Sequence, residues 1–272
     1  MTDKIDENAL PISAGESTFV AFIIFINNLK SNFIKMKQKL NLLMTLLVSM
    51  MGYAHHIWLE TKPVAELGSK HEVRLYFGDM EEVTPVAQWF SDLKEVEVIV
   101  QTPSGKVIKL ETEDKGLYSA GYFEATEKGI YTVSFNHLVK DAFKGMKIRY
   151  QSVGFVSTDA SINKKLTLGD KDYFQLVLQT KIKDGKRNYQ MLKSDYLSDK
   201  IKVRIELNGG EPKSVHVDKK GNFSFSPVNK DKYMLRFSSS KTVNEKYNGA
   251  DVNVEYTSLV YVGGTEYVNY SN

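Results

Sequence analysis

Cysteine is absent from all 272 residues of this chain. That excludes every thiolate metal or redox centre, and it excludes a lipid anchor on an N-terminal cysteine. Charge of one sign is also lacking. Lysine plus arginine number 36 against 33 aspartates and glutamates, and 31 against 29 from residue 55 onward. The lysines are scattered rather than striped, so no nucleic-acid partner is expected. No long apolar run is present either: the stretch from Leu40 to Met51 falls short of the about 20 residues that span a bilayer. Missing, too, are a Gly-x-Ser-x-Gly elbow, a phosphate-cradling glycine loop and a His-Glu-x-x-His pair. Asp184-Gly185 reads as a turn and lacks the other positions of a calcium loop.

What is present begins with an export signal. Met36-Lys37-Gln38-Lys39 is a basic start, and Leu40 to Met51 is apolar apart from Asn41, Thr45 and Ser49. Gly52-x-Ala54 is a small-residue cleavage site. Residues 36–54 are therefore expected to be a signal peptide, with 1–35 an over-extended N-terminus. The protein is then periplasmic or secreted, which suits a chain without disulfides. A cut after Ala54 makes His55 the first residue of the mature protein, with a free α-amine.

The remaining residues read as strands. In 71–77, Val73, Leu75 and Phe77 alternate with Glu72, Arg74 and Tyr76, the pattern of a half-buried strand. Val96, Val98 and Val100 alternate likewise, and Pro103-Ser104-Gly105 turns the chain back through 107–111 as a hairpin. Strands are expected over 117–123, 129–135 and 146–157. A linker-like stretch near 158–165 precedes a second set at 173–178, 201–207, 215–217, 218–225, 232–237 and 252–262, with a turn at Asn208-Gly209-Gly210. No segment of ten or more residues in the first half sustains a 3.6-residue period. The expectation is an all-β chain of two antiparallel β-sandwiches, the first Ig-like over 55–158 and the second over 166–272.

Five histidines remain as candidates for chemistry: His55, His56, His71, His137 and His216. As residue 1, His55 closes a six-membered chelate through its amine and Nδ1. An α-amine titrates at about 7.7–8.0, so a metal displaces its proton near neutral pH. Nitrogen donors favour Cu(II), Ni(II) or Zn(II) over Mg or Ca. His71 is in phase with Val73, Leu75 and Phe77, and His137 with Tyr131, Val133 and Phe135; each is a candidate third donor. His56 is expected on the face opposite His55, as a second-site ligand or a bystander. His216 is expected to face solvent, and Trp58 and Trp89 to pack rather than to stack on sugars.

Ala54-His55-His56-Ile57-Trp58-Leu59-Glu60 resembles the opening of mature chains in the family called domain of unknown function 4198. Further matches are Val73-Arg74-Leu75-Tyr76-Phe77-Gly78, the run from Ile148 to Phe155, Asp218-x-x-Gly221-x-Phe223-x-Phe225, and Tyr256-Thr257-Ser258-Leu259. The Asp-x-x-Gly-x-Phe-x-Phe segment, followed by Tyr233-x-Leu235-x-Phe237, also resembles small prealbumin-like modules such as the carboxypeptidase regulatory-like domain. The family resemblance implies an exported bacterial β-protein, some members being associated with nickel uptake, and His55 matches the family's first mature histidine. Members often carry a histidine near the closing strand, where this chain has Glu255-Tyr256-Thr257.

The expected role is thus a non-enzymatic metal-binding or metal-transport accessory for nickel, copper or zinc, using the His55 amine and imidazole with one of His71 or His137, and with His56 as a second-site ligand or a bystander. Its expected partner is a membrane metal transporter or an outer-membrane receptor. Two other readings stand beside it: an envelope adhesion or carbohydrate-binding β-module without metal, and a copper-dependent oxidase with an N-terminal histidine chelate.

Overall fold

The computed structural model describes residues 55–159, 161–180, 186–198, 200–226 and 232–264. The expected signal peptide at 36–54, the leading residues 1–35 and the expected turn at Asp184-Gly185 lie outside the described residues. Residues from His55 onward form one compact unit. It is all-β: among the described residues there is no α-helix, only two single 3₁₀ turns at Val86–Gln88 and Leu93–Glu95.

Three sheets make up the unit. The first runs β1 (His56–Thr61), β2 (Lys70–Gly78), β6 (Ser119–Glu124) and β5 (Thr112–Asp114), all antiparallel. The second is β14 (Asn222–Phe225), β11 (Arg187–Lys193), β10 (Phe174–Gln179) and β9 (Lys165–Gly169). The third has eight strands. Its order is β13 (Lys213–Ser214), β12 (Ile201–Leu207), β15 (Tyr233–Tyr247), β16 (Ala250–Gly263), β8 (Met146–Ser157), β7 (Ile130–Leu138), β3 (Val98–Gln101) and β4 (Val107–Leu110). Most expected strands fall within two or three residues of these bounds. The run 215–217 is not a strand, and β5, β9 and β11 were not foreseen.

The long sheet crosses the expected boundary. β16 pairs with β8 in parallel, Val254 opposite Met146 through Tyr261 opposite Val153. The stretch near 158–165 therefore links β8 to β9 while a ladder joins the two halves beside it. Apart from β8–β16, every pair within the three sheets is antiparallel.

Side-chain alternation then decides what covers each face of the long sheet. Ile148, Tyr150 and Val156 of β8 join Ile57, Leu59, Val73, Leu75 and Phe123 of the first sheet in one core. Val153 of β8, with Leu259 and Tyr261 of β16, joins Phe174, Leu176, Tyr189 and Phe223 of the second sheet in another. The two small sheets thus lie on opposite faces of the long one. Each fully buried side chain such as Leu59 or Phe174 contributes about 1.5–3 kcal/mol relative to exposure.

β1 is an edge strand of its sheet, yet it is buried on both sides. Its outer edge meets the β8–β16 seam, where the Leu59 amide donates to Ser152 Oγ at 3.1 Å and Ser152 Oγ donates to the Val260 carbonyl at 2.9 Å. Small side chains make this approach possible: a Cβ on Gly154 would sit 3.0 Å from Leu59 Cδ1. Trp58, stacked on Tyr76 at 5.5 Å, packs with Met80, Met234 and Val260 as a third cluster. An edge buried in this way is protected from pairing with another chain.

The β3–β4 hairpin forms as expected, Val98 opposite Leu110. Gly105 in its turn has φ +91° with open space around a would-be Cβ. Gly105→Ala therefore pays only for left-handed backbone, and is expected to cost about 1–2 kcal/mol. A chemical-denaturation midpoint unchanged from the parent would refute that.

Candidate functional site

The candidate site is where β1 begins. His56 pairs with Gly78, so the end of β2 lies beside the start of β1. Gly78 has φ +136°, and a Cβ there would strike the Glu82 carbonyl oxygen; only glycine makes the turn that follows. Asp79 and Glu82 then exchange backbone hydrogen bonds of 3.0 and 3.2 Å, which holds Asp79 next to His55. His55 Nε2 is 3.9 Å from Asp79 Oδ2, and the His55 side chain is 51% exposed. Its ring meets the Phe77 ring at 5.6 Å edge to face, and its carbonyl accepts the Tyr150 hydroxyl at 3.1 Å. Burial pushes the Asp79 carboxyl above its ordinary range.

His56 turns inward, as alternation requires, and is buried. Burial, and then the charges of Arg236, Arg204 and His55, lower its pKa to about 3, so it is neutral at physiological pH. Among the described residues its Nδ1 has no hydrogen-bond partner. Below it on the same strand face lie Trp58 and Glu60. Trp58 Nε1 donates to Glu60 Oε1 at 2.8 Å, and Lys232 Nζ donates to the same oxygen. Arg236 Nη2 lies 3.3 Å from Glu206 Oε2. Both ion pairs are nearly dry, with side-chain exposures of 8% and 3% for Lys232 and Glu60 and of 8% and 6% for Arg236 and Glu206.

The other histidines are placed elsewhere. His71 Nε2 lies 2.8 Å from the Thr61 hydroxyl and 3.1 Å from the Lys62 carbonyl oxygen, beyond the far end of β1. A carbonyl only accepts, so that nitrogen carries the ring proton. Burial lowers the pKa of His71. His137 Nε2 is 3.1 Å from Asp92 Oδ1, an ion-pair distance without hydrogen-bond alignment. His216 is exposed, as expected, and Trp58 and Trp89 are both buried, which removes them as sugar platforms.

Among the described residues no group of three or more His, Cys, Asp or Glu side chains gathers as a metal cluster. A multi-histidine site from His55, His56, His71 and His137 therefore does not fit. What remains is the His55 ring with the amine that cleavage would release. For this pair Asp79 adds a negative charge 3.9 Å from Nε2, beyond hydrogen-bond reach, on the side of the ring away from Nδ1.

Sequence reasoning missed the buried ionic layer of Glu60, Lys232, Glu206 and Arg236. The only signal was that Glu60 shares a strand face with Trp58, an apolar residue. No model of a known protein family matches the chain, and no curated protein matches it. The resemblance to the family called domain of unknown function 4198 therefore rests on its short motifs.

Proposed function

We propose that residues from His55 onward form an exported, periplasmic or secreted, non-enzymatic metal-binding protein of two β-sandwiches that share one long sheet. Its metal ligands are the His55 α-amine and Nδ1, and the metal is Ni(II), Cu(II) or Zn(II). The observation that carries this reading is the half-exposed His55 ring with Asp79 set on its Nε2 side. That the compact unit starts at His55, the residue expected to follow the signal peptidase cut, supports it further. Two protein donors leave the remaining coordination positions to solvent or to a partner. Such a site exchanges its metal readily, which suits handing it to a membrane transporter or outer-membrane receptor rather than holding it structurally. No feature of the site favours the copper-oxidase alternative.

The test is a Cu(II) titration of protein beginning at His55 against protein with one alanine added before it. Losing the amine donor is expected to weaken binding by at least about tenfold, equivalent to about 1.4 kcal/mol. Asp79→Asn is expected to weaken it by about threefold, through loss of a negative charge 3.9 Å from the ring. Equal affinity with and without the extra alanine removes the chelate from consideration.

A further inference from the structure

A second site lies on the other side of the molecule's long sheet, and it does not depend on the metal reading. The second sheet covers one face of β15, β16 and part of β8, and the β9–β10 turn overhangs the neighbouring strands. Beneath this overhang is an open cavity of about 430 Å³, in the range of ligand pockets. Ile99 and Val153 line it with apolar surface. Ser134, Asn136 and Gln151 of the long sheet, with Asp170, Lys171 and Gln175 of the overhang, line it with polar groups.

Gln151 is the telling residue. It is 1% exposed, it lines the cavity, and its Oε1 has no hydrogen-bond partner among the described residues. A buried acceptor left unsatisfied is costly, and such a group marks a place where a ligand donor belongs. Its cross-strand neighbour Asn136 is already oriented: Nδ2 donates to Asp170 Oδ2 at 2.6 Å, and Oδ1 accepts Arg149 Nη1 at 2.9 Å. Asp170 is in turn fixed within its turn, accepting the Asp172 amide on Oδ1 at 2.9 Å and the Tyr173 amide on its carbonyl at 3.0 Å. The Arg149 guanidinium stacks on the Tyr173 ring at 4.3 Å, and Tyr173 meets Tyr196 at 5.4 Å. Asn136 and the preorganised Asp170 carboxylate thus form a fixed polar rim to the cavity.

We infer that this cavity binds a neutral, hydroxyl-rich ligand, a unit of a polysaccharide, with Gln151 Oε1 accepting a ligand hydroxyl. Asp170 and Lys171 supply one charge of each sign, which favours a neutral ligand over an anion or a cation. Apolar surface with a polar rim matches a sugar, whose ring carbons are apolar and whose edges carry hydroxyls. The floor of the cavity offers a peptide no ladder, because β3, β7 and β8 of the long sheet are paired on both sides.

The test is native affinity electrophoresis of the purified chain in gels containing laminarin, galactomannan, xyloglucan or arabinoxylan. Retardation in at least one gel is expected. Gln151→Met, close in volume and without the unsatisfied acceptor, should weaken it about 3- to 10-fold with a melting temperature equal to or above the parent's. His55→Ala should bind the polysaccharide like the parent, which separates this site from the metal reading. If Gln151→Met melts below the parent, Gln175→Ala on the half-buried rim replaces it, with the same loss required. Unretarded migration in all four gels overturns the inference. So does a variant retarded like the parent, and so does displacement by a casein digest without displacement by free oligosaccharide.

Discussion

Glu60→Ala is expected to cost about 3–5 kcal/mol of folding stability, because it leaves the Lys232 ammonium buried without its carboxylate. Both side chains are almost free of solvent, so water does not screen the pair as it does at a surface, where such pairs contribute 1 kcal/mol or less. Burial pulls the Lys232 pKa below its ordinary value although Glu60 opposes that, so desolvation already strains the ammonium in the intact pair. Glu60 also receives Trp58 Nε1, and its loss leaves the indole N–H without that acceptor. A domain of this kind is stable by about 5–15 kcal/mol in total, so the substitution removes a large fraction. Glu60→Leu combined with Lys232→Met should recover most of the loss, since replacing both partners of a buried pair with apolar groups is near neutral. Guanidinium denaturation of Glu60→Leu, Lys232→Met and the double variant forms the cycle that checks this, with Glu60→Ala measured beside it. A single-variant cost under 1 kcal/mol would sink the idea that the pair is a dry tie between β1 and the start of β15.

Much of the fold is legible in the residues. Val73, Leu75 and Phe77 do face a core, the 98–110 hairpin forms at its Pro-Ser-Gly turn, and β8 occupies 146–157 as its composition suggests. What alternation could not reveal is a sheet edge buried on both sides. Tyr76 lies on the face read as outward, yet it is 1% exposed because Trp58 stacks on it beneath Met234 and Val260. His56 and Glu60 are polar residues at buried positions, and a binary pattern assigns such residues to solvent. The parallel β8–β16 ladder joins residues about a hundred apart, and no local signal encodes a pairing of that range. β11, Arg-Asn-Tyr-Gln-Met-Leu-Lys, was missed because only Tyr189 is fully buried in it. At the site, the step from His55 to Asp79 depends on the His56–Gly78 register, which is a tertiary fact. Gln151 is likewise an ordinary strand glutamine until the β9–β10 turn closes over it.

Acid should destabilise the protein well before its ordinary carboxylates titrate, and His56 is the main cause. In the folded chain burial, reinforced by Arg236, Arg204 and His55, holds the His56 pKa at about 3; unfolded, it returns to 6.5. Between these values the unfolded chain takes up a proton that the folded chain refuses. Stability is therefore full above pH 6.5 and falls as pH drops, by about 1.4 kcal/mol per unit, reaching a loss on the order of 4 kcal/mol near pH 3. His71, its pKa also lowered by burial, adds to the same slope. Asp79 and Glu206 act in the opposite direction, since burial raises both carboxyls and their folded forms bind protons more readily at low pH. The parent's slope is thus a difference, and His56→Leu isolates one side of it. Urea midpoints between pH 7 and pH 4 should decline in the parent and decline less steeply in the variant. Because His56 Nδ1 has no partner to lose among the described residues, the variant should also be at least as stable as the parent at pH 5. Identical slopes in the two proteins would mean that His56 is protonated in the folded state, and the buried, neutral imidazole beneath His55 would have to be abandoned.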